Sequence, residues 1–112
     1  MKLYFDTSDK QKTVVQLGEK KTVLKSGVGG SQQLLPLIDK MLRKIGKSVQ
    51  DISEIEVNLG PGSFTGLKVG CSIGNCLGFL LEIPVNGRII LKDGLTEPLY
   101  QTSVYNKTNV HY

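Results

Sequence analysis

Tryptophan is absent, and histidine occurs once, at His111, next to the last residue. A single histidine excludes a His pair for a metal and a buried imidazole base for a nucleophilic triad. Cysteine is scarce too: Cys71 and Cys76 lie in an apolar run with neither CxxC spacing nor a disulfide framework. They read as reduced, buried thiols of a cytosolic protein, not bonded to each other, because five residues on a helix turn them about 140° apart. With four Tyr and three Phe, the chain lacks the aromatic platform that single-strand nucleic-acid binders use, so a free-standing RNA-binding domain ranks last among the readings. No long hydrophobic run is present. The longest uncharged stretch that is mainly apolar, Val69 to Leu81, is too short to span a bilayer, and MKLYFDTSDK is charged too early for a signal peptide. The expectation is a cytoplasmic protein with no membrane association.

What is present describes an ordinary globular chain. The 112 residues fit one domain, and 39% hydrophobic content suffices for a core. Fourteen Lys/Arg against ten Asp/Glu give a net charge of +4, which tolerates a polyanionic partner without requiring one. Lys40, Arg43, Lys44 and Lys47 cluster where they complement the carboxyl end of a helix, an alternative to contacting a nucleic-acid backbone.

KLYF (2–5), TVVQL (13–17) and TVLK (22–25) are β-branched or aromatic runs separated by polar turns, and predict an antiparallel meander. SGVGG (26–30) connects it to a helix that Ser31 can cap, with Leu34, Leu37, Ile38, Met41, Leu42 and Ile45 at helical spacing, a bent or delayed start at Pro36, and Gly46 as terminator. EIEVNL (54–59) alternates as a fourth strand, Ser63 to about Leu81 predicts a second helix, and Ile83–Asn86 a short fifth strand. The order βββαβαβ predicts an α/β fold, a five-stranded mixed sheet with both helices on one face, which is the ribonuclease H-like plan. RIILKDGLTEPLY (88–100) offers a hairpin around Asp93-Gly94, placed to cover the sheet face that the helices leave bare.

Between the fourth strand and the second helix stands LGPGSFTGLKVG (59–70). It is not a Walker A loop, because only three residues separate Gly62 from Gly66 and Leu67 stands between Gly66 and Lys68. It is not a dinucleotide fingerprint, because Thr65 occupies the third glycine position. Two readings remain: a strand-to-helix turn capped by Ser63 or Thr65, or the same turn holding an anion on free amides.

GPGSFTGLKVG closely resembles the GPGSFTGLR[IV]G signature of the TsaB (YeaZ) proteins of tRNA threonylcarbamoyladenosine synthesis. LYFDTS (3–8) is similar to that family's first strand, QQLLPLIDKML to its first helix, and GFLLEIPVNG to its second helix running into the fifth strand. The resemblance covers residues 1–87, leaving 88–112 as a C-terminal hairpin and flexible tail in which TEPLY (96–100) is similar to a Glu-Pro-x-Tyr stretch near the end of full-length relatives. It implies one lobe of an actin-like, ribonuclease H-like protein, where the family's usual members carry two. It further implies no established catalytic activity and no cofactor, and a role supporting the catalytic subunit TsaD, with a TsaE-like ATPase and tRNA as partners through the complex and a homodimer when alone.

The resemblance also frames the candidate residues. Asp6, with Thr7 and Ser8 after it, stands where actin-like ATPases place a metal and phosphate carboxylate; its alternative is a turn-capping Asp. Together with Gly60, Gly62, Ser63 and Thr65 it would form an anion or nucleotide site, and a nucleotide-hydrolysing lobe completed across a homodimer is the competing function. Gly66, Gly70, Gly74 and Gly78 recur every four residues despite costing a helix roughly 1 kcal/mol each relative to Ala. The expectation is that this strip, with Leu67 and Cys71, meets another helix, either the chain's own first helix or one of a partner that also contacts Leu34, Leu37 and Met41. Val69, Ile73, Cys76, Leu77 and Leu80 would then face the sheet. Asn106-Lys107-Thr108 matches a glycosylation sequon that a cytosolic chain never presents to the enzymes that read it.

Overall fold

The computed structural model describes residues 1–25 and 33–98. The SGVGG connector, the Ser31 cap, Leu99 and Tyr100 of TEPLY, the sequon and His111 lie outside the described residues.

Strands β1 (Lys2–Asp9), β2 (Lys12–Leu17) and β3 (Lys20–Lys25) form the expected meander, and β4 (Glu54–Val57) joins β1 in parallel, so the sheet order is β3-β2-β1-β4. Alternation decides the faces. Leu3, Phe5 and Thr7 of β1, Thr13, Val15 and Leu17 of β2, and Ile55 and Val57 of β4 are buried, while Tyr4, Asp6, Val14, Gln16 and Glu56 between them are partly exposed. The register with β2 shifts between Asp6 and Asp9, and this bulge buries Ser8 next to Thr7.

Helix α1 (Leu34–Lys44) lies against β2, and α2 (Phe64–Leu81) lies across β1 and β4. Their buried residues join one cluster with the inward strand positions, so both helices cover the same sheet face. Pro36 is the third residue of α1, inside the first turn where no intrahelical donor is needed, and the helix starts cleanly before it. At its far end Ile45 and Gly46 leave the helix as expected, and exposed Arg43 pairs with Asp39 at 3.0 Å.

Two expectations fail beyond α2. The fifth strand is reduced to one parallel bridge, Val85 with Ile55, so the described sheet has four strands. Pro84 brings no backbone donor, and Asn86 and Gly87 adopt φ of 49° and 79°, the positive pair that a two-residue reversing turn requires. Val85 and Arg88 exchange N–H···O bonds of 2.9 Å in both directions across that turn. The reversal expected at Asp93-Gly94 therefore sits at Asn86-Gly87. Around Asp93 the chain instead makes a helical turn, α3 (Ile90–Asp93), because the Asp93 carboxylate accepts from the Ile89 amide at 2.9 Å and closes the turn. This segment packs against α2 rather than over the sheet's other face.

Candidate functional site: the glycine loop and the second helix

The ends of the parallel pair β1 and β4 and the start of α2 meet at the glycine loop, which passes through a cis Gly60–Pro61 bond. Ser63 caps α2, accepting from the Gly66 amide at 3.4 Å, while its carbonyl accepts from Leu67 at 2.8 Å and its own amide donates to the Ser8 carbonyl at 2.8 Å. Thr65 lies inside the first turn and plays no capping part. Asn58, just past β4, ties the corner together with its side chain: Nδ2 donates to Ser8 Oγ at 3.0 Å and Oδ1 accepts from the Gly60 amide at 3.1 Å.

The loop glycines are explained by contact with β1. A Cβ on Gly62 would collide with the Ser8 side chain, and one on Gly66 would collide with the Thr7 carbonyl oxygen. Thr7 Oγ1 donates to the Gly66 carbonyl at 2.6 Å, which fastens the first turn of α2 to the strand. The structure thus brings Asp6, Thr7, Ser8, Gly60, Gly62 and Ser63 into one corner, and the amides of Ser8, Gly60, Ser63, Gly66 and Leu67 all donate within the chain. An open cleft lined by Ser8, Lys10, Gln11, Pro61 and Ser63 lies beside it.

Asp6 is a turn-former here: its carboxylate accepts from the Ser8 amide at 2.8 Å. Partial burial pushes its pKa up, but hydrogen bonds from Ser8 and Asn58 and the charge of Lys12 outweigh it, and the carboxyl sits below its ordinary 3.8. A carboxylate depressed on folding contributes stability that is complete above its unfolded pKa and is lost as pH falls through the lower folded value. Denaturation titrations between about pH 5 and about pH 2 should therefore show the wild type losing its advantage over Asp6→Asn only below the ordinary carboxylate pKa. A difference between the two that does not change with pH would show that the charge is immaterial.

Among the described residues the glycine strip of α2 faces the sheet and the Val85 bridge rather than α1, and only its last member, Gly78, also lies near α3, through Ile90. Added Cβ atoms on Gly70 and Gly74 would lie 2.6 Å from Thr7 Oγ1 and from Val57 Cγ2, with Phe5 and Val85 next, and one on Gly78 would strike Val85. The strip is seated on the chain's own sheet. Leu34, Met41, Leu67, Gly70, Cys71, Gly74 and Gly78, expected at an interface, are buried in the core, and only Leu37 keeps partial exposure. The physical reason is room: Phe5, Val57 and Val85 project from the sheet and leave no volume beneath α2 for a larger side chain.

The aliphatic arc is turned partly outward, with Ile73 and Leu77 still packed against the edge of the core. Val69, Ile73 and Leu77 are half-buried, Cys76 is exposed, Phe79 is 52% exposed and Leu80 is 67% exposed. Leu80, nine residues after Cys71, lies about 180° around the helix from it. Both cysteines are free thiols, Cys71 buried with its pKa raised by burial and then by Glu97, Cys76 exposed against expectation. Lys68, whose ammonium lies 5.4 Å from the Phe64 ring centre, is the helix's one charged residue. Counted from Phe64, α2 is long and apolar enough by length and composition to cross a membrane, which the uncharged run alone did not suggest. Among the described residues no cluster of His, Cys, Asp and Glu is arranged to hold a metal.

Three polar residues that organise this region went unnoticed in the sequence: Asn58, Asn86 and Thr96. The Asn86-Gly87 pair is a strong turn signal and was the clue available for one of them. Asn58 and Thr96 carried no pattern of their own.

A mixed sheet with two helices on one face, joined through a glycine corner onto the first strand, defines an α/β lobe. Residues 30–87 match the family model described as "TsaD: tRNA N6-adenosine threonylcarbamoyltransferase". The chain belongs to the TsaD family, and its likeness extends to the TsaB (YeaZ) proteins within that relationship. It is 40% identical to a tRNA N6-adenosine threonylcarbamoyltransferase of Nitrosospira multiformis, over 61% of this chain and 20% of that protein. It is 32% identical to the tRNA threonylcarbamoyladenosine biosynthesis protein TsaB of Bacillus subtilis, over 62% of this chain and 34% of that protein. The solved structure of YeaZ from Pseudomonas aeruginosa superposes with a TM-score of 0.65 at 25% identity, over 75% of this chain and 41% of that one. The chain thus spans only a minor part of the length of these relatives.

Proposed function

We propose that this chain is a non-catalytic, TsaB-like pairing module that supports a TsaD-like subunit in threonylcarbamoyladenosine modification of tRNA in the cytoplasm. Residues 1–87 are read as one ribonuclease H-like lobe whose fifth strand has shrunk to the Val85 bridge. The observation that carries the proposal is the outer side of α2, where exposed Cys76 and Leu80 continue half-buried Val69 and Ile73 into an apolar stripe while small residues face the sheet. An exposed stripe of this kind on a helix marks a protein contact. A TsaD-like subunit is the expected partner because the family relationship connects the chain to such proteins, and a second copy is the occupant when that subunit is absent. A TsaE-like ATPase and tRNA would be reached through the complex.

The test is co-purification of the tagged full-length chain with the TsaD-like protein of its own cell, and sedimentation of the chain alone. Retention of that protein, with a dimer in its absence, is expected. A monomer with no affinity for it would overturn the proposal.

The competing reading, a nucleotide-hydrolysing lobe completed across a homodimer, draws on the cleft beside Ser8 and Ser63 at the carboxyl ends of two parallel strands. Against it stand the internal hydrogen bonds that already use the amides of Ser8, Gly60, Ser63, Gly66 and Leu67. Isothermal titration of ATP into the isolated chain should give no stoichiometric micromolar binding. Clear binding and turnover, lost in Asp6→Ala, would favour the enzyme.

A further inference from the structure

The chain between Ile83 and Pro98 closes the outer edge of the sheet by unusual means. Ile55 receives a normal strand partner, donating to the Pro84 carbonyl at 2.9 Å and accepting from the Asn86 amide at 2.8 Å. At Val57 the partner is a side chain: the Asn86 carboxamide accepts from the Val57 amide at 2.8 Å and donates to its carbonyl at 3.0 Å, doing for one residue what a fifth strand would do. The Asn86-Gly87 turn then sends the chain back along α2, where Ile90 packs at the edge of the core beside Gly78 and Pro98 is buried. Leu91 and Leu95 are 80% and 58% exposed, so apolar burial holds the part between Ile90 and Thr96 weakly.

What holds it is Thr96. Its amide donates to Asn75 Oδ1 at 3.0 Å, its carbonyl accepts from Asn75 Nδ2 at 2.8 Å, and its hydroxyl donates to the Val85 carbonyl at 2.8 Å. Thr96 is 3% exposed, so these bonds are shielded from water, and they reach α2 and the bridge residue at once. We infer that residues 83–98 form a strap that opens as one cooperative unit below the free energy of global unfolding, with Thr96 as its pin. With the pin in place the strap fixes Val85 on β4. With the pin removed, the Val85 bridge and the Asn86 carboxamide are left to hold the strap closed, and they are released with it when it opens.

Native-state hydrogen exchange on the full chain tests this. In Thr96→Val, which keeps the shape and removes the hydroxyl, and independently in Asn75→Ala, the amides of Val85, Asn86, Arg88 and Thr96 should exchange roughly tenfold faster. The amides of Phe5 and Val15 in the meander should keep their wild-type rates. Trypsin should cut after Arg88 or Lys92 sooner in both variants while the meander stays protected. Equal acceleration in strap and meander would mean that the strap has no opening of its own, and unchanged strap rates in both variants would mean that Thr96 is not the pin. Either result overturns the inference.

Discussion

Gly66→Ala is expected to destabilise the lobe severely, although alanine is the better helix former. On helix propensity alone the change should gain roughly 1 kcal/mol. The added methyl, however, would collide with the Thr7 carbonyl oxygen, which is backbone of β1 at its bulge, just past the residues paired with β4. The collision cannot be relieved by a rotamer change. Either α2 lifts from the sheet, breaking the 2.6 Å bond from Thr7 Oγ1 to the Gly66 carbonyl, or β1 deforms. Overpacking of this kind costs about 1 to 3 kcal/mol, and a backbone atom as the partner places it at the upper end. Against a total stability of about 5 to 15 kcal/mol, a midpoint shift of several degrees or frank loss of soluble folded protein should follow. Gly74→Leu should behave similarly, since its first atom would already lie 2.6 Å from Val57. Thermal denaturation of both variants checks this, and a midpoint at or above that of the wild type would show that the helix does not sit as closely as described.

That expectation reverses what periodicity alone suggested, and the reason is instructive. Period 3.6 correctly groups Gly66, Gly70, Gly74 and Gly78 on one side of α2 and the aliphatic residues on another, but it does not say which side sees the sheet. Large apolar side chains are ordinarily the buried ones. Here the volume under the helix is already taken by Phe5, Val57 and Val85, and those residues belong to other elements whose register had to be known first. The meander, β4 and both helices were legible because their alternation or helical spacing is local. The fifth strand was not, because its length is set by Pro84 and by the Asn86-Gly87 turn, so a four-residue apolar run became a single bridge. The corner at Asp6, Ser8 and Ser63 was legible as a turn and a cap. Its fastening by Asn58 was not, since that depends on the parallel pairing that sets the end of β4 beside β1.

Leu80→Asp should abolish association with a TsaD-like subunit, or with a second copy, while leaving the fold intact. Leu80 is 67% exposed and points away from the buried side of α2, so the isolated lobe gains little from it and an exposed carboxylate there costs little. In a complex seated on the stripe of Val69, Ile73, Cys76 and Leu80, the same carboxylate would be desolvated against apolar neighbours with no cation on the stripe to pair it. Truncating a central apolar anchor costs an interface about 2 kcal/mol or more, and burying an unpaired charge adds to that. The combined effect is a weakening of at least roughly thirtyfold, enough to lose a micromolar partner in a pull-down. The position near the end of α2 also makes the acidic residue a poor neighbour of the helix carboxyl terminus, but that cost falls on free and bound lobe alike. Thermal denaturation close to that of the wild type, together with loss of the partner on co-purification, is the expected pair of results. Undiminished co-purification by a folded Leu80→Asp variant would move the docking surface off the outer face of α2, and with it the role proposed for the stripe.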